Sequence, residues 1–185
     1  MQSEQNSSRD LSSSRNLADI QAIIESAKAR GGRESLQRHI AKALPEADDG
    51  EVREATDVAL EVIESVPLFL ARARQESEER GLRSVVDPLL DRAERYYLQP
   101  IDLIPEMTQG LVGLLDDTYL VIRTLQNLDR GPQPFLDWEL DYPAHFFERL
   151  VGAPIAQRLD QIAMEALQEV AAHLEEVWKR AAREA

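Results

Sequence analysis

Apolar residues recur every three or four positions along almost the whole chain, which is the spacing of one face of an α-helix. No segment alternates apolar and polar residues as a half-buried strand does. A first helix is predicted from a cap at Asn16 to the pair Gly31 and Gly32, and a second helix ends before Pro45. The pattern therefore predicts an all-α fold, a multi-helix bundle.

Two further helices are predicted in the middle of the chain. An apolar stripe runs through residues 49–80, and Pro67 lies within it, so we expect a kink or a break into two helices there. The next stripe predicts a helix over residues 84–98, in which Pro88 would occupy the first turn. These elements belong to a predicted helical domain of residues 17–131.

The chain changes character after residue 131. Residues 132–150 are predicted to form an aromatic arm, in part irregular, whose rings pack on the bundle or are exposed to anchor a partner. Residues 151–185 carry one continuous apolar stripe and predict a long C-terminal helix, packed on the bundle or on a second subunit. The aromatic residues of the arm are Phe135, Trp138, Tyr142, Phe146 and Phe147.

The first sixteen residues differ from the rest because they are rich in serine and have no apolar stripe. We expect residues 1–16 to be a disordered tail. No apolar run long enough for a secretory signal or a membrane span occurs in the sequence, so the protein is predicted to be cytoplasmic.

The segment after the fourth predicted helix carries two prolines, Pro100 and Pro105, that each disfavour helical geometry in the preceding residue. A stiff corner between two antiparallel helices is therefore expected. Apolar residues would fill the core at this corner, and two glycines would allow the helices to approach closely. The residues assigned to this structural motif are Tyr97, Pro100, Ile101, Leu103, Ile104, Pro105, Gly110 and Gly113.

The run Pro-Ile-Asp-Leu-Ile-Pro at residues 100–105, followed by an acid and by the pair Asp116 and Asp117, resembles the signature of the YkvA-like family, a small helical domain of unknown function. The resemblance covers about residues 83–125 and implies a YkvA-like core over 83–128. It implies no established activity, but family members are often associated with helical or membrane-linked proteins.

Four acids around the corner permit two interpretations. Each acid could serve the architecture, with Asp102 accepting backbone hydrogen bonds and Asp116 or Asp117 capping the next helix. Alternatively, the corner could bring Asp102, Glu106, Asp116 and Asp117 together as oxygen ligands for Mg²⁺ or Ca²⁺, in a metal-binding or hydrolytic site. We favour the architectural interpretation, in which no cofactor is needed, and keep a divalent cation as the alternative.

Composition narrows the functional classes. The chain has 34 acidic and 21 basic residues, a formal net charge of −13, which disfavours nucleic acid as a partner. It has no cysteine, which excludes disulfides and thiolate chemistry. Glutamates alternate with the basic residues Arg72, Arg74, Arg80 and Arg83, which predicts a surface of mixed charge there. Common catalytic motifs are missing, so an enzyme is not the favoured interpretation.

The leading hypothesis is a non-enzymatic helical adaptor or scaffolding protein that acts through protein–protein contacts, with a protein partner or as a homodimer. The first alternative is the metal-binding or hydrolytic domain described above. The second is a peripheral membrane protein, which the net charge of −13 does not favour because anionic lipids would repel it.

Overall fold

The computed structural model of the chain describes residues 2–30, 32–99, 110–129, 135–136 and 138–184, and for residues 2–12 and 171–184 it describes the backbone alone. Within these ranges the chain forms seven α-helices and no strand, which confirms the predicted all-α class. The helices are α1 (Gln2–Ala29), α2 (Gly32–Ala43), α3 (Asp49–Glu79), α4 (Arg83–Leu98), α5 (Leu115–Leu128), α6 (Asp141–Val151) and α7 (Ala153–Glu184), and a 3-10 helix, Gly110–Leu114, precedes α5.

Helix α5 is the centre of the bundle. All of its residues except Arg123 and Gln126 are buried. A helix that is buried on every side needs neighbours all around it, and α5 packs against α3, α4, α6 and α7. These four helices surround α5, and α1 and α2 pack in turn on α3 and on the 3-10 helix.

Helices α3 and α4 each bury the apolar stripe that the sequence predicted. Helix α3 begins with a capping box in which Asp48 accepts hydrogen bonds from the backbone N–H groups of Gly50 and Glu51. These hydrogen bonds hold the pKa of Asp48 below its usual value. The buried apolar positions of α4 are Val85, Val86, Leu89, Leu90, Ala93 and Tyr97.

The 3-10 helix approaches the junction of α1 and α2 closely at two glycines. A Cβ atom on Gly110 would lie 3.5 Å from the Cα atom of Gly32, and Gly110 has φ +75°. A Cβ atom on Gly32 would lie 2.4 Å from the carbonyl oxygen of Ala27. Glycine is therefore favoured at both positions for different reasons: a side chain at Gly32 would clash with its neighbours, and the positive φ of Gly110 is one that other residues rarely adopt.

The largest difference from the expected boundaries is at the N-terminus. We predicted a disordered tail over residues 1–16 and a cap at Asn16, whereas α1 begins at Gln2. Asn16 lies inside the helix, and its side-chain amide donates a hydrogen bond to Glu94. Ile20 and Ile24 are fully buried and fix the later turns of α1. Each residue added to an existing helix costs little, even in a serine-rich sequence.

Both mid-chain prolines differ from expectation. Helix α3 continues through Pro67 as one element, so of the two expected outcomes, a kink or a break into two helices, the break is wrong. Helix α4 begins at Arg83, which places Pro88 beyond the first turn. Pro88 is exposed, and the carbonyl that loses its hydrogen bond to the proline belongs to Ser84, which is also exposed and can bond to water.

No helix in the part of the chain that the structure describes is both long and apolar enough to cross a bilayer. The corner residues 100–106 lie outside the described ranges, so the predicted proline-braced corner stays a prediction.

Candidate functional site

A polar cleft of about 330 Å³ lies along one side of α4 and is the candidate site. We call it the α4 cleft. Residues from α1, α3 and α4 line it, and charges of both signs predominate among them. The charged and amide side chains that line it include Asn16, Arg74, Arg83, Asp87, Asp91 and Arg95.

Glu94 lies beneath the cleft and is completely buried. Its Oε1 atom accepts hydrogen bonds from Nε and Nη2 of Arg74, at 3.1 and 2.7 Å. Its Oε2 atom accepts a hydrogen bond of 2.9 Å from the side-chain amide of Asn16. A buried carboxylate is tolerated only when it is paired and hydrogen-bonded, and Glu94 meets that condition by joining α1, α3 and α4.

Asp87 is the second buried carboxylate of the cleft, with 3% of its surface exposed. The Ser77 hydroxyl donates a hydrogen bond of 3.1 Å to Oδ1 of Asp87, and Nε of Arg83 donates one of 3.1 Å to Oδ2. Both oxygens are therefore engaged, as they are in Glu94.

Arg74 connects the buried carboxylates to the mouth of the cleft. Its Nη2 atom donates to Oδ1 of Asp91 at 2.6 Å, and the Asp91 side chain is 46% exposed. Burial alone would lower the pKa of Arg74, but the carboxylates of Glu94 and Asp91 outweigh it and hold the pKa above its usual value. Arg74 thus stays charged and paired wherever these acids are ionised.

A second cleft, of about 490 Å³, lies along the neighbouring flank of α4 and shares Arg95 and Gln99 with the first. Arg92 crosses towards it and forms an ion pair of 3.0 Å with Glu169 of α7. Arg95 lines both clefts and makes no ion pair with any residue that the structure describes. The outward side of α4 therefore stands as a ridge between two clefts. We define the α4 ridge as Pro88, Asp91, Arg95 and Leu98.

The structure describes only two of the four acids of the predicted metal site. Asp102 and Glu106 lie outside the described residues, while Asp116 and Asp117 are buried in the first turn of α5. Among the described residues there is no group of three histidines or acids that could hold a metal ion. A metal site that includes Asp102 and Glu106 stays a prediction.

Neither Asp116 nor Asp117 caps α5, so that part of the architectural prediction is wrong. The N-cap is Leu114, without a side-chain hydrogen bond. The preceding 3-10 helix runs directly into α5, which removes the exposed start that a side chain would cap. Nearby, the Tyr97 hydroxyl lies 3.3 Å from that of Thr118, and burial raises the pKa of Tyr97.

The five aromatic residues of the arm do not form one surface. Phe135 and Phe147 belong to the core. Trp138 is half-buried against Phe69, with ring centroids 5.2 Å apart. Tyr142 is 62% exposed and stacks on the half-buried Phe146. The arm therefore both packs on the bundle and leaves one ring at the surface.

The α4 cleft was not predicted from the sequence, which assigned Arg74 to a surface of mixed charge. A signal was present: Asp87, Asp91 and Glu94 are spaced i, i+4 and i+7, which places three carboxylates on one side of α4. That spacing did not reveal which arginines would face them.

No protein-family model matches the chain, and comparison with curated proteins and with solved structures finds no similar protein. The resemblance to the YkvA-like family therefore continues to rest on the motif at residues 100–117 alone.

Proposed function

We propose that this chain is a non-enzymatic helical scaffolding protein that acts through protein–protein contact and associates with a second copy of itself. The observation that supports this function is the division of charges around the α4 cleft. The buried charges are paired inside the protein, whereas charges of both signs at the mouth face solvent.

The buried carboxylates are poorly arranged for catalysis. A general base must accept a proton from its substrate within hydrogen-bonding distance. Both oxygens of Glu94 are occupied by Arg74 and Asn16, and both oxygens of Asp87 by Ser77 and Arg83. Carboxylates held by partners within the protein stabilise the helix contacts, and they favour a binding role over an enzymatic one.

The exposed groups are better suited to contact with a protein. Asp91 and Arg95 lie one turn apart on α4 and offer an acid and a base side by side. Opposite charges at the rim of a contact surface fix register and partner choice. A net charge of −13 remains unfavourable for nucleic acid or anionic lipid.

Light scattering during size-exclusion chromatography of the full chain tests this function. We expect a mass of twice 20.9 kDa that declines towards 20.9 kDa on dilution. A mass of 20.9 kDa at every concentration would contradict self-association.

A melting series with Mg²⁺, Mn²⁺ and Ca²⁺ in the same buffer compares scaffolding with the metal-binding alternative. We expect no shift in melting temperature with any ion. A shift that Asp116→Asn abolishes, in a variant whose helical content is unchanged, would instead favour the metal site of Asp102, Glu106, Asp116 and Asp117.

A further inference from the structure

We propose that two copies of the chain associate through their α4 ridges, antiparallel about a two-fold axis, with Asp91 of each copy paired to Arg95 of the other. This inference rests on the proposed function and specifies where its contact lies.

The ridge residues have the spacing of a helix–helix seam. Pro88, Asp91, Arg95 and Leu98 follow one another at intervals of three, four and three, which is the pattern of the contact positions in a coiled coil. Pro88 and Arg95 are exposed, while Asp91 and Leu98 are half-buried. In a single copy of the chain, the side chains of this seam are therefore at least partly accessible to a partner.

The order of residues along the seam is self-complementary, so two antiparallel copies place each residue opposite a suitable partner. In a two-fold contact, residue i of one copy meets residue j of the other and the reverse. If the two-fold axis passes at the level of Ala93, Asp91 of one copy meets Arg95 of the other, and Pro88 of one copy meets Leu98 of the other. Within one copy, Asp91 and Arg95 are about 6 Å apart along the helix axis. Two ion pairs then lie at the centre, with an apolar contact on each side.

The charges at the centre of the seam can still accept a partner. Asp91 uses Oδ1 for Arg74, while its Oδ2 makes no hydrogen bond to the residues that the structure describes. Arg95 has no ion pair within the described ranges, in contrast to Arg74, Arg83 and Arg92, which each contact a carboxylate. An arginine can bind a carboxylate through two parallel hydrogen bonds. Each copy thus offers the other an acid and a base that can still form a hydrogen-bonded ion pair.

The two clefts beside α4 provide room for the contact. They measure about 330 and 490 Å³ and flank the ridge on both sides. Helices pack by fitting the side chains of one helix between those of the other, and the clefts leave room beside the seam for the neighbouring side chains of a second copy without displacing the core.

Charge exchange between two variants tests the proposed register. In a dimer of Arg95→Glu, both Asp91–Arg95 pairs become pairs of facing acids. In a dimer of Asp91→Lys, both become pairs of facing bases. We expect each variant alone to have a dimer dissociation constant raised about tenfold or more. An equal mixture of the two should restore a dimer near the wild-type dissociation constant, because both ion pairs of the mixed dimer are then attractive.

Arg158→Glu is the matched control, since Arg158 is exposed on α7 and its replacement changes the net charge equally. It should leave the dissociation constant within about twofold of the wild-type value. If Arg95→Glu behaves like Arg158→Glu while the wild type is a dimer, the α4 register is wrong but the scaffolding function stands. If the wild type is a monomer, both fail.

A second measurement covers the case in which Asp91→Lys disturbs the pair with Arg74 and lowers helical content. Because the chain has no cysteine, Asp91→Cys and Arg95→Cys introduce single thiols. On oxidation, their mixture should form a disulfide-linked dimer faster than a mixture of Arg158→Cys and Asp91→Cys. Equal rates would overturn the proposed register.

Discussion

The contact between α3 and α4 and the contact between α5 and α7 are both closed by an arginine and a carboxylate, but they bury these groups to different extents. Arg74 of α3 meets a completely buried Glu94. Arg123 of α5 meets Asp160 of α7 at 2.6 Å, and the Asp160 side chain is 36% exposed.

The difference in burial shows which contact is sensitive to loss of a partner. Removing one member of a buried pair leaves the other charge without water or a counter-ion, whereas an exposed member is resolvated. The buried pair therefore fixes how α3 and α4 lie together, and the exposed pair adds a modest contribution to apolar packing that already holds α5 against α7.

The largest effect is expected from Glu94→Ala, because it leaves Arg74 and Asn16 without their shared acceptor. Arg74 keeps its ion pair with Asp91, so we expect the free energy of unfolding to fall by about 2 to 3 kcal/mol, less than the cost of a buried charge left with no counter-ion. Urea unfolding followed by circular dichroism measures it.

Glu94→Gln provides the control for Glu94→Ala, because it keeps the volume and one acceptor and removes the charge. It should cost less than the alanine variant. A loss below about 1 kcal/mol for Glu94→Ala would mean that water reaches the pair and that burial does not distinguish the two contacts.

A smaller effect is expected from Asp160→Ala at the other contact. Asp160 accepts hydrogen bonds from Nε of Arg123 and from the Tyr119 hydroxyl. Arg123 keeps a hydrogen bond to Gln126 and remains near solvent. We therefore expect a loss of about 1 to 2 kcal/mol in the same unfolding experiment. A loss as large as that of Glu94→Ala would contradict the comparison.

The helices and the apolar faces through which they pack could be predicted from the sequence. The stripes of α3, α4 and α7 depend on local spacing, and the predicted helix over residues 84–98 differs from α4 by one residue at its start. The glycine pair after α1 and Pro45 after α2 likewise mark local ends.

The buried ion pairs and hydrogen bonds between helices could not be predicted, because they depend on how segments that are distant in sequence cross. Arg74 and Glu94 are separated by 20 positions, and Asn16 and Glu94 by 78. Local capping rules also misplaced Asp116 and Asp117, because they assume a helix with an isolated start, whereas the 3-10 helix runs into α5. The aromatic arm was located correctly by position, but burial of Phe135 and Phe147 depends on the surrounding helices.

The smallest effect at neutral pH, and one that grows with pH, is expected at Tyr119. Burial and the hydrogen bond to Asp160 raise the pKa of Tyr119 above its usual value. Above about pH 10 the unfolded chain releases the phenolic proton while the folded chain keeps it, so stability falls as the pH rises. Tyr119→Phe removes this titration and one hydrogen bond. We expect this variant to lose about 0.5 to 1 kcal/mol of stability near pH 7. Above about pH 10, its free energy of unfolding should fall less steeply with rising pH than that of the wild type.

Tyr97→Phe, on α4, removes a second tyrosine whose pKa is raised by burial. Combined with Tyr119→Phe, it should make the fall in stability above about pH 10 shallower still. Urea unfolding midpoints measured below and above pH 10 test this expectation. If the midpoints of the wild type and of Tyr119→Phe fall in parallel above pH 10, solvent already reaches the Tyr119 hydroxyl at the α5–α7 contact.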